Sequence, residues 1–167
     1  KINNTGWNLF TVPIQNNWKA STLAENITGC QIVSYFDAQI QTYKSYIVGV
    51  SPPSADFTIE NGYSYFIVTN INSSLSVSGM TITSVNISLY VNNTGWNMIG
   101  WYHNYSTTAS GLASGISNCS IVSMFDSNFQ TYISYIVGVS PPSADFTILK
   151  GMGIFIIVDE ETYWYGN

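Results

Sequence analysis

Few residues in this chain are placed to carry acid–base or nucleophilic chemistry. The carboxylates are scattered singly apart from Asp159, Glu160 and Glu161, and Asp37/Asp126 and Asp56/Asp145 recur as pairs. A glycosidase pair of carboxylates needs only to meet in space, but the recurring aspartates read more simply as turn residues. His103 is the only histidine. There is no G-x-S-x-G elbow, no His/Cys spacing suited to zinc and no D-x-D-x-D-G calcium loop. The expectation is a protein that is not an enzyme, with no catalytic residue, no cofactor and no metal ligand.

Other side chains point to other chemistry. Asn-X-Ser/Thr occurs at Asn3, Asn26, Asn72, Asn86, Asn92, Asn104 and Asn118, so covalent glycans are expected partners. Cys30 and Cys119 leave three readings open: buried free thiols, an intrachain disulfide or an interchain one. Aromatics make up 15% of the chain. Trp7 and Trp96 stand at equivalent places beside a glycine and read as core. Trp18, Trp101 and Trp164 have no matching tryptophan, so they are candidates for a subunit contact or a sugar-stacking face. So are Trp7, for its place near the N-terminus, and Tyr163 and Tyr165 in "ETYWYGN".

Charged residues are 8% of the 167, against roughly 25% in typical soluble proteins. There is no arginine, and the lysines are Lys1, Lys19, Lys44 and Lys150. With net charge −5 and no basic cluster, nucleic acid is not an expected partner. A surface so poor in charge resists association weakly. Sugars would supply hydration, or the surface is meant to pack against its own copies. No stretch is long and apolar enough to span a membrane. The chain opens at Lys1 without a signal peptide, as a processed protein would, and an extracellular or cell-surface location is expected.

The elements that must position these residues come in duplicate. "SYIVGVSPPSADFTI" stands at 45–59 and again at 134–148. Aligning residue n with n+89 matches 3–78 to 92–167 without a gap, and 38 of the 76 pairs are identical. The expected fold is mainly β: two tandem homologous small β-sandwich-like domains with at most one short helix each. Residues 1–78 form the first repeat, 79–91 a connecting β-strand segment and 92–167 the second repeat. "GWNLFTVPI" and "GWNMIGWYH" read as strands. "QIVSYFDA" and "QTYKSYIVGV" read as a hairpin, and "GYSYFIVT" and "GMGIFIIV" as buried strands. Adjacent prolines make "VSPPSADF" a rigid loop. Leu23, Ala24 and Ile27 share a face of a helix over 20–27 that Ser21 would cap.

Two full periods of 89 would need 178 residues, and the chain is 11 short. "TSVNISLYV" between the copies has strand alternation and no twin, so one repeat lacks a strand that the other owns. An edge left open this way can accept a strand from a neighbour. Lys1 and Ile2, at the head of "KINNTGWNLFTVPI", are the expected donor. Head-to-tail addition would then yield a filament or surface layer of identical copies. The alternative expectation is a carbohydrate-binding or adhesive module of a larger cell-surface protein.

The run G-W-N-Φ-Φ, then "IVSYFD" and "TYKSY", then "NGYSYFIV", resembles a repeated module of secreted and cell-surface proteins of archaea and bacteria. That module commonly starts like "GWNLISLP" and closes like "GYGYFVY". The resemblance covers most of 3–78 and 92–167. It implies an adhesin-like or envelope setting without an assigned activity, and it hands over no catalytic residue. The second copy departs from it at "WYHNYS" and "GMGIF".

Overall fold

The computed structural model describes residues 2–3, 6–91 and 94–166. The first repeat folds into β1 (Trp7–Phe10), α1 (Ala20–Glu25), β2 (Cys30–Asp37), β3 (Thr42–Ile47) and β4 (Tyr65–Thr69). The connecting segment supplies β5 (Ile87–Leu89). The second repeat gives β6 (Trp96–Gly100), β7 (Thr107–Thr108), α2 (Ala109–Ser114), β8 (Cys119–Asp126), β9 (Thr131–Ile136), β10 (Thr147–Ile148), β11 (Gly153–Val158) and β12 (Thr162–Trp164). The architecture is mainly β with one short α-helix per repeat, as the sequence predicts.

Each repeat forms an antiparallel sheet of the same topology, β1-β4-β2-β3 and β6-β11-β8-β9. β4 and β11 lie inside their sheets and are covered on both faces, which is why their sequences are continuous apolar runs. Tyr65 and Ile67 point to one side, where Leu23, Ala24 and Ile27 close the first core. Phe66 points to the other. In β11, Ile154, Ile156 and Val158 join Leu112, Ala113 and Ile116 in the second core, and Phe155 points away. Phe66, Phe155 and Met98, with Leu9, Phe36, Trp96 and Phe125, form a third core between the two sheets.

The repeats are related by an internal twofold axis. Phe66 meets its own equivalent Phe155 with ring centroids 6.0 Å apart. Tyr43 and Tyr132, another equivalent pair, line the same clefts between the sheets. Thr11 N donates to Gly151 O at 2.9 Å, and the mirror contact runs from Gly100 N to Gly62 O at 2.7 Å. Residues that touch their own counterparts lie on the axis, as in an isologous dimer interface.

The axis explains two glycines. Gly100 is the counterpart of Thr11, and a Cβ there would overlap the Thr11 side chain. Gly153 is the counterpart of Ser64, and a Cβ there would stand 2.8 Å from Ser64 Cβ and 2.5 Å from Leu9 Cγ. Neither glycine has a positive φ, so space and not backbone conformation selects them. Each crossing of the axis has room for one side chain.

The double-proline loops become short 3₁₀ turns at Pro53–Ala55 and Pro142–Ala144. They deliver an aspartate to the start of each helix. Asp56 accepts from Ser21 N at 2.9 Å and Ser21 Oγ at 2.8 Å, and Asp145 accepts from Ser110 N at 2.8 Å and Oγ at 2.6 Å. Ser21 is therefore not the cap itself. Lys19 occupies the N-cap position of α1 without a side-chain bond, and the carboxylate from the loop satisfies the exposed helix donors instead.

The missing strand falls on the first repeat. β5 pairs with β12, Ile87 opposite Trp164 and Leu89 opposite Thr162. The counterpart of β12 begins at Ser73, which forms a single bridge with Ile2. Ser73, Leu75 and Val77 are half-buried while Ser74, Ser76 and Ser78 are exposed. That is a strand pattern, without a strand partner beyond Ser73 among the described residues.

Crowding on the axis gives a direct test. Gly100→Thr should destabilise the fold by about 1–3 kcal/mol in chemical denaturation. Exchanging the pair, Thr11→Gly with Gly100→Thr, should recover most of that loss. No recovery would show that something other than the paired crossing selects glycine.

Candidate functional site

Sheet edges are the first feature able to act on another molecule. Each sheet has two. The edge at β1 is sealed from within by the opposite repeat: Gln130 Oε1 accepts from Trp7 N at 2.9 Å and Gln130 Nε2 donates to Trp7 O at 3.0 Å. The edge at β6 is met in the same way, with Gln41 Nε2 on Trp96 O at 2.9 Å. Both glutamines adopt φ near +50° at the hairpin tips, 53° at Gln41 and 52° at Gln130. That left-handed turn aims the side-chain amide along the strand edge, where it substitutes for a paired residue.

The other edges, β3 and β9, lie at the ends of their sheets with no strand beyond them among the described residues. Their sequences, TYKSYI and TYISYI, are rich in β-formers and contain neither proline nor glycine. β3 carries one charge, Lys44, bound to Asp37 Oδ2 at 2.6 Å. β9 has Ile133 in its place and no charge at all. Exposed apolar side chains gather on the same segments: Ile47 ends β3 and Val48 and Val50 follow it, and Ile136 ends β9 and Val137 and Val139 follow it. Val50 and Val139 are both 74% exposed. The two identical fifteen-residue stretches are therefore also the two that present apolar edges to solvent.

A cleft of about 370 Å³ is the second feature. It lies between the repeats, lined by Tyr35, Asp37, Glu60, Tyr63 and Tyr65 on one side and by Ser88, Tyr90 and Asn97 on the other. Its wall is stiff. Tyr35 packs edge-on against Phe57 at 4.6 Å, and Phe57 stacks with Tyr65 at 6.2 Å. Tyr65 Oη accepts from Glu60 N at 2.7 Å. Asn97 fastens the opposite wall, with Oδ1 accepting from Tyr90 N at 2.7 Å and Nδ2 donating to Tyr90 O at 2.9 Å. Burial pushes the Asp37 carboxyl up, but the Lys44 ammonium and the backbone N–H groups of Ile40 and Gln39 outweigh it and hold it below the usual range. Asp37 is thus ionised and acts as an acceptor, not as a general acid.

The expected contact residues divide sharply. Trp101 is 2% exposed, with Nε1 donating to Tyr105 O at 2.8 Å, and Trp164 is 1% exposed. Both belong to the second core and cannot form a binding face. Trp18 is half-buried against the first core. Ile2, the expected donor residue, is buried in its own chain, and Lys1 lies outside the described residues. Trp7, Tyr163 and Tyr165 are exposed. Tyr163 and Tyr165 stack at 6.1 Å on the outer side of β12.

Among the glycan acceptors, Asn26, Asn72, Asn86, Asn104 and Asn118 are exposed. Asn104 Oδ1 accepts from Lys150 Nζ at 2.6 Å, and Asn118 Nδ2 donates to Glu160 Oε2 at 3.1 Å. Asn3 is committed to the contact between repeats, donating to Ser127 Oγ at 3.1 Å and Asn128 Oδ1 at 3.0 Å. Asn92 lies outside the described residues. His103 is packed among Trp101, Tyr102 and Tyr105, and burial holds its imidazole below its ordinary pKa despite a hydrogen bond involving the Gly166 backbone. Among the described residues no group of three His, Cys, Asp or Glu side chains could hold a metal.

Cys30 and Cys119 are both free thiols, half-buried at the starts of β2 and β8. Burial pushes each up to about 11, only partly offset by hydrogen bonds to Ile32 O and Ile121 O. Compared with known proteins, the chain matches no family model, no curated protein and no solved structure.

The thiols yield a pH prediction. A reference thiol titrates near 9.0, so at pH 8 alkylation of the folded protein should run roughly a hundredfold slower than that of the unfolded chain. The folded pKa is raised, so the associated stability is present below pH 9 and is lost as pH climbs towards 11. The urea midpoint should therefore fall over that window, and less steeply in a Cys30→Ala/Cys119→Ala variant. Equal alkylation rates for the folded and unfolded chain would contradict the burial argument.

Proposed function

We propose that this chain is a structural subunit of an extracellular filament or surface layer, glycosylated on exposed asparagines and joined head to tail by β-strand addition between copies. The observation that carries this reading is the pair of edges β3 and β9, which no strand covers among the described residues, which are capped at their ends by Ser51 and Ser140 hydroxyls on Ile47 N and Ile136 N, and which are each continuous with an exposed apolar run. Proteins that stay monomeric blunt such edges with charge, proline or bulges. Here one tethered lysine is the only charge on either strand.

Two edges on one molecule make it bivalent. β3 of one copy laid beside β9 of the next is a heterologous contact, which repeats without closing. Main-chain hydrogen bonds would supply affinity, and the alternating Tyr and Ile side chains would set register. The chain has no arginine and few lysines, so like-charge repulsion between copies is weak. Five exposed Asn-X-Ser/Thr asparagines, none of them on β3 or β9, leave the joining edges clear of sugar. The resemblance to secreted, envelope-type modules fits the same setting.

Electron microscopy and sedimentation of concentrated protein test this. Wild-type protein should form long assemblies. Ile133→Lys with Ile136→Lys, which charges β9 where β3 already tolerates Lys44 and at an exposed position, should leave a folded monomer and raise the concentration needed for assembly by roughly tenfold or more. Monodisperse wild-type protein at high concentration, or undiminished assembly of the charged variant, would end the proposal.

A further inference from the structure

The duplication supplies its own control for the cleft between the repeats. Tyr35, Tyr63, Tyr65 and Glu60 stand in the cleft, and their counterparts 89 residues on are Met124, Met152, Ile154 and Leu149. Half of all aligned positions are identical, yet four polar or hydroxylated wall residues of one repeat are all apolar in the other. The shared scaffold does not demand them, since Asp37/Asp126 and Phe57/Phe146 are kept in both copies. Packing alone therefore does not account for three tyrosines and a glutamate. The remaining wall, Ser88 and Tyr90, comes from the β5 segment, of which the first repeat keeps only the end: Ile2 bridges Ser73 as Leu89 pairs with Thr162, and Asn8 clamps Asn3, not a tyrosine, as Asn97 clamps Tyr90. The cleft wall therefore differs between two repeats whose sheets share one topology.

We infer that this cleft is a saccharide-binding site, formed by Tyr35, Asp37, Glu60, Tyr63 and Tyr90. The chemistry follows from the groups present. Its volume, about 370 Å³, is in the range of small-ligand sites. Carboxylates accept strong hydrogen bonds from hydroxyl groups, and Asp37 and Glu60 place two such groups in the cleft. Tyrosines give an apolar ring with a hydroxyl at its edge, which suits a sugar's alternation of C–H faces and O–H edges. Asp37 is already neutralised by Lys44 at 2.6 Å, so the cleft carries about one net negative charge. That favours a polyhydroxylated neutral ligand over a strongly cationic one. The packed Tyr35–Phe57–Tyr65 wall and the Asn97 clamp on Tyr90 fix the groups before a ligand arrives, which lowers the ordering cost of binding.

This site is independent of the filament reading, because none of these residues lies on β3 or β9. Dilute, unassembled protein, and the β9 charge variant, are therefore the material to test. Saturation-transfer NMR and calorimetry against trisaccharides of glucose, mannose, galactose and N-acetylglucosamine should find binding by at least one. A protein-derived N-glycan core and a soluble polysaccharide fragment, run as separate arms, distinguish a glycan on a neighbouring copy from a free polymer. Glu60→Leu and Tyr63→Met install the residues of the other repeat, so folding should survive, and each should weaken binding roughly tenfold or more. Leu149→Glu in the twin repeat should leave it unchanged. The inference is overturned if no saccharide binds at millimolar concentration, if both wall variants bind as the wild type does, or if tetramethylammonium binds where sugars do not.

Discussion

Everything in this molecule hangs on two sheets meeting face to face through Phe66 and Phe155. Neither sheet is self-sufficient. One face of each is covered by a single short helix, and the other would present a patch of Phe, Leu, Met and Trp to water. Burying an aromatic side chain of this kind is worth about 1.5–3 kcal/mol, and eight large side chains share the seam. The stacking also brings each hairpin tip to the partner sheet. Gln41 and Gln130 can seal the β6 and β1 edges only because the seam places them there. The inter-repeat cleft exists for the same reason, since its two walls come from different repeats.

The same constraint decides where the duplication stayed identical and where it diverged. The fifteen-residue stretch has three tasks in each repeat. It forms the outer strand, turns through the prolines and presents an aspartate to the helix start. All three are local to one repeat, so both copies keep the same residues. Positions that meet across the axis cannot all remain the same. Thr11 with Gly100 and Ser64 with Gly153 differ because two side chains cannot share one crossing.

Much of the fold is legible in the sequence. The offset of 89, the hairpins, the buried strands and the short helices follow from periodicity and turn residues, and they form as read. What is not legible comes from long-range packing. Trp101 and Trp164 look like surface features because the other repeat has no tryptophan there. In the fold they fill the second core at positions where the first has Val12 and Leu75, while the first core gains Trp18 and Tyr65 against Thr107 and Ile154. Aromatic bulk has been redistributed, not exposed. Alternation places β5 but not its partner, so its pairing with β12 needed the structure. The cleft left only a faint trace: a run of Tyr and Glu facing Met, Ile and Leu when the copies are aligned. That trace has meaning only once those positions are known to share one wall.

The two small crossings on the axis also act as a pairing code. A first repeat facing another first repeat would set threonine against threonine and serine against serine. A first repeat facing a second repeat always sets a side chain against a glycine. Unlike halves therefore recognise each other, whichever molecules they belong to. The 79–91 tether keeps the proper mate at high effective concentration. If that tether were cut or lengthened, halves of different molecules could trade places through the same seam, without making a single new contact.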